Sequence, residues 1–451
     1  MVLLAAAAVA RIEWALYALI AASYANLSEL AIERYGAPSV AKLLFLVVLL
    51  LGLASWAITR RRPGAPLSLA VLLLAIGLAY AIAMLAADDP VAAWTALVDL
   101  AKNALLACTV TAMLTRPAIL RGVSWTLIGV GLVLGGLSAF QGLTGGFERD
   151  FGGLAVAQLH QIVGGLDSWR AAGPLGDPNF FAQALVPIVA LAADRALNEP
   201  RAALRPIAAA ALAACLLAIL YTYSRGALLA LAAMLVAQLA LGWRGLLRRP
   251  LALAALILAL GLGAALAPAG YRERAAELSG AVAEQGPGDS SDPAIRGRFG
   301  EMRVAWHMFL EHPLLGIGPG NYESAFQQEN LRLRQTLRNE TREAHSLYLQ
   351  IAAELGLPGL LAFAALALVL ARTIRDARRA FRAGGQPDLA TLAAALGVGW
   401  LGYAVTALFL HEGLPRHFWL LVGITMALPE VARRIAVPAL RVPAGLGEAA
   451  A

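Results

Sequence analysis

The chain has 451 residues, 60% of them hydrophobic and 14% charged, with a formal net charge of +7. Soluble domains carry about a quarter charged residues, so this composition excludes an ordinary soluble enzyme. Apolar runs long enough to cross about 30 Å of hydrocarbon recur from end to end, which specifies an all-α, polytopic membrane protein.

In chain order the apolar runs predict helices near residues 12–33, 39–59, 65–86, 91–114, 118–142, 178–196, 204–222, 225–243, 250–268, 347–371, 389–410 and 416–432. For the first of them, 2–22 is the alternative span. That helix carries Glu13 and lacks a small-residue cleavage site, so it is expected to be a retained anchor. Asp99, Lys102 and Asn103 share one face of the fourth helix and read either as a pair holding neighbouring helices together or as a functional polar site, the structural role being favoured. Cys108 and Cys215 both fall inside apolar runs and read as small buried hydrophobes, not as a disulfide.

All but Lys42 and Lys102 of the 36 basic residues are arginine, and they gather in alternate loops. Arg60-Arg61-Arg62, Arg116 with Arg121, Arg195 with Arg201 and Arg205, Arg248-Arg249, the run Arg372–Arg382 and Arg433-Arg434 fall on one side, whereas Asp88-Asp89-Pro90 has no basic residue. The positive-inside rule then gives about twelve helices with both termini in the cytoplasm. It accounts for the basic excess without nucleic acid as a partner. The chain divides into residues 1–268 with nine helices, a long, partly helical loop over 269–346 on the face opposite the cytoplasm, and residues 347–451 with three helices and a cytoplasmic tail. The far face then holds 143–177, the Tyr221–Arg225 turn and the 269–346 loop. Within the loop, Glu284–Pro293 is rich in Gly, Pro and Ser and is expected to be disordered, while 299–310 and 321–337 carry helical patterns.

Chemistry-bearing residues collect on that face. In Arg170-Ala-Ala-Gly-Pro-Leu-Gly-Asp177-Pro178-Asn179, Asp177 reads as an N-cap with proline at the first helical position. Arg170 has no such local explanation. Arg225 follows Tyr221-Thr-Tyr-Ser224 and opens a helix on the basic-poor side, against the orientation bias; its planar fork suits phosphate oxygens. Arg303-Val-Ala-Trp306 precedes Pro313-Leu-Leu-Gly-Ile-Gly-Pro-Gly-Asn321, and Arg298 competes with Arg303 for the same role. No strand precedes these glycines, as a nucleotide loop would need, so they read as a tight turn between two loop helices. Arg342 lies one turn before His345, whose imidazole can accept a proton from a hydroxyl near neutral pH. Glu354 either orients that ring or pairs locally, the local role being the more ordinary one.

The six histidines are scattered, with no His-x-x-x-His and no Cys–His cluster, so neither a metal nor another cofactor is expected. A transporter would place its site near the bilayer midplane and show internal repeats. Charged candidates concentrated at one face, with no repeat, favour an enzyme acting on a lipid-borne phosphate.

These clusters, in this order, resemble the O-antigen ligase and O-antigen polymerase superfamily. The residues that carry the resemblance are Arg170-x-x-Gly173-x-x-x-Asp-Pro-Asn179, Ser224-Arg225-Gly226, Arg303-x-x-Trp306 with Pro313–Asn321, and His345-Ser-Leu-Tyr-Leu349 with Glu354-Leu-Gly-Leu-Pro-Gly359. The resemblance implies metal-independent, inverting transfer of a glycan from undecaprenyl pyrophosphate at the periplasmic face of the bacterial inner membrane. It implies His345 as the base and Arg225, Arg170, Arg303, Arg342 and Asn179 as donor-binding groups, with Glu354, Arg298 and Asp177 as secondary candidates. The implied partners are the lipid-linked donor, a lipid A–core acceptor and membrane lipids. Ligase is the leading activity; polymerase or protein O-oligosaccharyltransferase is the alternative, and a lipid or glycan transporter ranks below both.

Overall fold

A computed structural model describes residues 2–59, 66–161, 167–247, 293–333, 342–410 and 414–439. The fold is an all-α membrane bundle, with one small hairpin among the described residues. Its elements are α1 (Val2–Tyr24), α2 (Leu27–Tyr35), α3 (Val40–Thr59), α4 (Leu67–Ala83), α5 (Pro90–Met113), α6 (Pro117–Thr144), β1 (Val156–Gln161), β2 (Asp167–Gly173), α7 (Pro178–Asn198), α8 (Arg205–Thr222), α9 (Arg225–Leu247), α10 (Pro293–Glu311), α11 (Tyr322–Arg332), α12 (Leu347–Ala383), α13 (Pro387–Thr406), α14 (Arg416–Met426) and α15 (Leu428–Ala439).

Among the described residues, eight helices are long and apolar enough to span a membrane, or nine if the bent pair α1–α2 counts as one. The expected first span is thus not straight. Asn26 adopts a left-handed conformation and turns the chain by 64°, and its side chain donates to the Pro174 carbonyl at 3.1 Å. The run expected over 416–432 is two short helices, and the one over 250–268 lies outside the described residues, as does most of Glu284–Pro293.

The centre of the bundle is α7, packed by α6, α8 and α13; 78% of its apolar window is buried, against 11% for α3 at the periphery. Small residues permit this closeness, since a Cβ on Gly399 of α13 would lie 3.1 Å from Pro187 Cα of α7. Cys215 is buried there and Cys108 is half-buried; both are free thiols. Asp99 and Lys102 pair with each other at 2.8 Å within α5, and both are largely exposed. They do not tie neighbouring helices together, because at a three-residue spacing they reach one another first.

The stretch expected as a loop over 143–177 contains the antiparallel pair β1–β2, with Gln158 opposite Arg170 and Leu159 opposite Trp169. Gln141, buried at the end of α6, donates to the Arg149 carbonyl at 2.6 Å and also to the Ala155 carbonyl, which holds the hairpin over the bundle.

At 37 residues, α12 is roughly 55 Å long, well beyond one hydrocarbon thickness. It breaks at Gly356 (φ 62°, ψ −158°), two residues before Pro358. Proline has no N–H to give the Glu354 carbonyl, and Leu357 donates instead to the Pro313 carbonyl at 2.8 Å. The two carbonyls so released are taken by the loop, Ile317 N–H to Ala353 at 2.9 Å and Gly318 N–H to Glu354 at 3.1 Å. Gly316 must be glycine: its φ is +66° and a Cβ would sit 2.3 Å from the Glu354 carbonyl oxygen. Asn321 then clasps Asp89, accepting its N–H at 2.7 Å and donating to its carbonyl at 3.2 Å. The glycine-rich stretch is thus the turn between α10 and α11. It fixes both helices to the α4–α5 turn and to α12 just below His345.

Candidate functional site

Asp177 caps α7 as expected, accepting from the Asn179 N–H at 2.7 Å and the Phe180 N–H at 3.0 Å. Arg170 reaches across from β2. Its Nε donates to the Thr222 carbonyl at 2.8 Å and one terminal nitrogen donates to Asn179 Oδ1 at 3.2 Å, and the residue is buried. Thr222 ends α8. Tyr223 turns the chain in a left-handed conformation (φ 53°), Ser224 is buried, and Arg225 opens α9. One guanidinium therefore joins the hairpin, the α7 cap and the α8–α9 turn, and Arg225 leaves that same turn.

The second half comes from α10 and the start of α12. Glu301 lies on the packed side of α10 with Val304, Ala305 and Met308, and its backbone carbonyl accepts from the Tyr322 hydroxyl at 2.8 Å. Its carboxylate stands 3.3 Å from His345 Nε2 and 3.7 Å from an Arg342 nitrogen. His345 has φ +47°, a conformation that few non-glycine residues adopt. That geometry turns the imidazole off the start of α12 while Ser346 is extended and the Leu347 N–H donates to the Ala407 carbonyl at 3.0 Å. The ring remains 23% exposed, enough for a substrate to reach it.

Burial is the main force that holds the His345 pKa down, from 6.5 to about 4; the guanidiniums of Arg298 and Arg342 act in the same direction, and the Asp177 carboxylate opposes them. The two halves therefore share one electrostatic site, in which burial and the two guanidiniums outweigh the Asp177 carboxylate. A neutral imidazole beside a carboxylate, ringed by guanidiniums, can take a proton from a hydroxyl while negative charge gathers close by.

The sequence candidates thus fall into two groups. Arg170, Asp177, Asn179, Arg298, Arg342 and His345 come together, and Arg225 adjoins them through the α8–α9 turn. Arg303 does not join them. It is exposed on the other side of α10, along a stripe with Phe299, Trp306 and Leu310, so of the two competing arginines it is Arg298 whose charge acts on the imidazole. Glu354 accepts from the Tyr322 N–H at 3.3 Å, from Gln350 at 3.4 Å and from the Gly320 N–H. It latches the α10–α11 turn to α12, the local role. Glu301 is the residue missed in the sequence. Its signal was a carboxylate on the apolar side of a helix, at the spacing shared with Val304, Ala305 and Met308.

No curated protein matches the chain. Residues 210–364 match a family model described as O-antigen ligase. The matched stretch contains Arg225, Arg298, Glu301, Arg342 and His345, while Arg170, Asp177 and Asn179 lie before it. Residues 210–364 are therefore similar to an O-antigen ligase domain, which supports the O-antigen ligase superfamily for this chain.

Proposed function

We propose that the protein is an O-antigen ligase, transferring a glycan from undecaprenyl pyrophosphate to a sugar hydroxyl of lipid A–core at the periplasmic face of the bacterial inner membrane. The observation that carries this reading is the neutral His345 imidazole paired with Glu301 among Arg298, Arg342 and the Arg170–Asn179 pair. Glu301 Oε2 stands 3.3 Å from Nε2, which favours a proton on that nitrogen and leaves Nδ1 to serve as the base. The acceptor hydroxyl attacks the anomeric carbon and forms the new C–O bond as its proton passes to Nδ1. The old C–O bond breaks with its electron pair leaving on the pyrophosphate. Arg298, Arg342, Arg170 and Arg225 stabilise that developing charge, a task guanidiniums perform without a metal. Asn179 holds Arg170 and the donor beside it, and Asp177 orders the end of α7.

The test is incubation of the purified protein with lipid-linked glycan and, separately, lipid A–core. Glycosylated lipid A–core that still forms after exhaustive chelation is the expected product. Lengthened lipid-linked glycan in its place identifies a polymerase, and no transfer to either acceptor overturns the reading. The topology is tested in parallel: Gln328→Cys should react with an impermeant thiol reagent from the periplasm, and Arg379→Cys only after lysis.

A further inference from the structure

Outside the His345 site, α10 and α11 bring together three metal-ligand side chains that the sequence keeps apart. His307 and Glu311 are four residues apart on α10 and so share a face, and Glu329 joins them from α11. One ligand atom from each, His307 Nδ1, a Glu311 oxygen and a Glu329 oxygen, lie within 4.8 Å of one another. Glu329 is 6% exposed, and its Oε1 faces His307 Nδ1 at 2.5 Å, yet neither atom makes a hydrogen bond among the described residues. Two such atoms that close need either a proton or a metal cation between them.

We propose that His307, Glu311 and Glu329 form a binding site for a divalent cation of the zinc class, which ties α10 to α11. One imidazole and two carboxylates are a ligand set that zinc accepts, with a fourth position left for water. Ligands at about 2.0–2.1 Å from a tetrahedral ion stand roughly 3.4 Å apart. The His307 Nδ1 distances, 2.5 Å to Glu329 Oε1 and 3.9 Å to Glu311 Oε2, straddle that spacing, so rotamer adjustments of about an ångström complete it. The site opens on a cleft of about 440 Å³ shared with Asp88, Asp89 and Asn321, large and polar enough for the water ligand.

Arg332 is the built-in competitor. Its guanidinium donates to both Glu311 oxygens at 2.8 and 2.9 Å and to Glu329 Oε2 at 2.8 Å. Its side chain is 57% exposed, so it can swing into solvent when a metal arrives. Cation and guanidinium thus contend for the same two carboxylates, and the site holds the α10–α11 pair closed with either one bound.

The full-length protein, purified without a histidine tag and stripped with chelator, is titrated with zinc. Bound metal is counted by mass spectrometry, and thermal unfolding is followed in parallel. Wild type should bind one zinc and unfold at a higher temperature with it. His307→Gln and Glu329→Gln should each weaken binding by about 100-fold or more, and Arg332→Gln should tighten it by about tenfold, the scale on which neighbouring groups tune metal sites. Equal zinc content in wild type and both ligand variants overturns the proposal, as does an Arg332→Gln variant that binds no better than wild type. Arg332 is exposed, so its variant folds and remains decisive if a ligand variant does not. None of these measurements reads glycan transfer, so the metal site and the proposed activity stand or fall separately.

Discussion

The two ends of α7 both hold a buried arginine network, and the networks are built differently. At the Asn198 end, the Arg195 side chain is 1% exposed. It is held by the Asp194 carboxylate, Glu199 at 3.4 Å, the Asp388 carbonyl at 2.8 Å and Thr391 at 3.3 Å, with Arg121 reaching Asp388 at 2.7 Å beside it. Carboxylates there meet the cations, backbone carbonyls complete the hydrogen bonding, and Arg195 itself is sealed from outside, with Arg121 partly exposed at the rim. At the Pro178 end, roughly 30 Å away along the helix, Arg170 is bound to a carbonyl and an amide, while Arg298 and Arg342 surround an imidazole that is still 23% exposed. At one end Arg195 is matched by carboxylates and closed off, as in a packing device. The other keeps cations around an accessible base in a strained conformation, a combination that packing alone does not require.

The largest effect that would test this contrast is at His345. His345→Gln keeps a hydrogen-bonding side chain but cannot serve as the base at neutral pH, so glycan transfer should fall by about 10²–10⁴-fold with donor binding retained. A Gln variant close to wild type in turnover would reduce His345 to an orienting group. Arg195→Gln should do the opposite. Breaking a buried charge network removes about 3–5 kcal/mol of stability, seen as a lower unfolding temperature, while turnover per folded molecule stays near wild type. Loss of turnover in a stably folded Arg195 variant would erase the distinction between the two ends.

The pH profile sharpens the same contrast. His345 has its folded-state pKa lowered to about 4 from 6.5, so between those values the unfolded chain binds a proton that the folded one refuses. Its stabilising contribution is therefore complete above 6.5 and is lost as pH falls through the folded value. The base form persists in the same way, and the acid limb of kcat/KM, which reports the free enzyme, should be centred near 4. Arg342→Gln removes a cation that lowers this pKa, so the limb should move upward. Glu301→Gln should reduce kcat by about tenfold to 100-fold with KM little changed, because it loosens the ring and not the donor. An acid limb at 6.5 in the wild type would show that the imidazole is neither buried nor surrounded by cations in the working enzyme.

The smallest effect concerns Arg303. Exposed among Phe299, Trp306 and Leu310, it should tolerate Arg303→Ala with less than about a twofold change in turnover, whereas Arg298→Ala should be severely impaired. Equal losses in both variants would bring Arg303 into the donor site and break the division of α10 into a packed side and an outer side.

Much of this was legible in the chain. Membrane class followed from composition, most spans from apolar runs, the α7 cap from Asp177-Pro178, and the α10–α11 turn from its glycines. These are local properties, set by transfer free energy and by backbone sterics over a few residues. The hairpin over 156–173 was not visible, because its partner strands pair through backbone hydrogen bonds and the buried Gln141 that fastens it lies in the preceding helix. Nor was the bend at Asn26, whose side chain is fixed by a carbonyl 148 residues away.

The sequence by itself determined which residues could do chemistry: an imidazole, several arginines on the basic-poor face, and a glycine-rich turn that had to be a turn. Tertiary structure decided which of them meet. The charge of Arg298 and not of Arg303 acts on His345 because α10 buries the side that carries Glu301, Val304, Ala305 and Met308 against α12. Glu354 was assigned to the loop because Pro358 breaks α12, and the turn docks where the helix can no longer satisfy its own carbonyls. Helix periodicity says which residues share a face. Which way that face turns depends on a partner distant in sequence, and only packing supplies it.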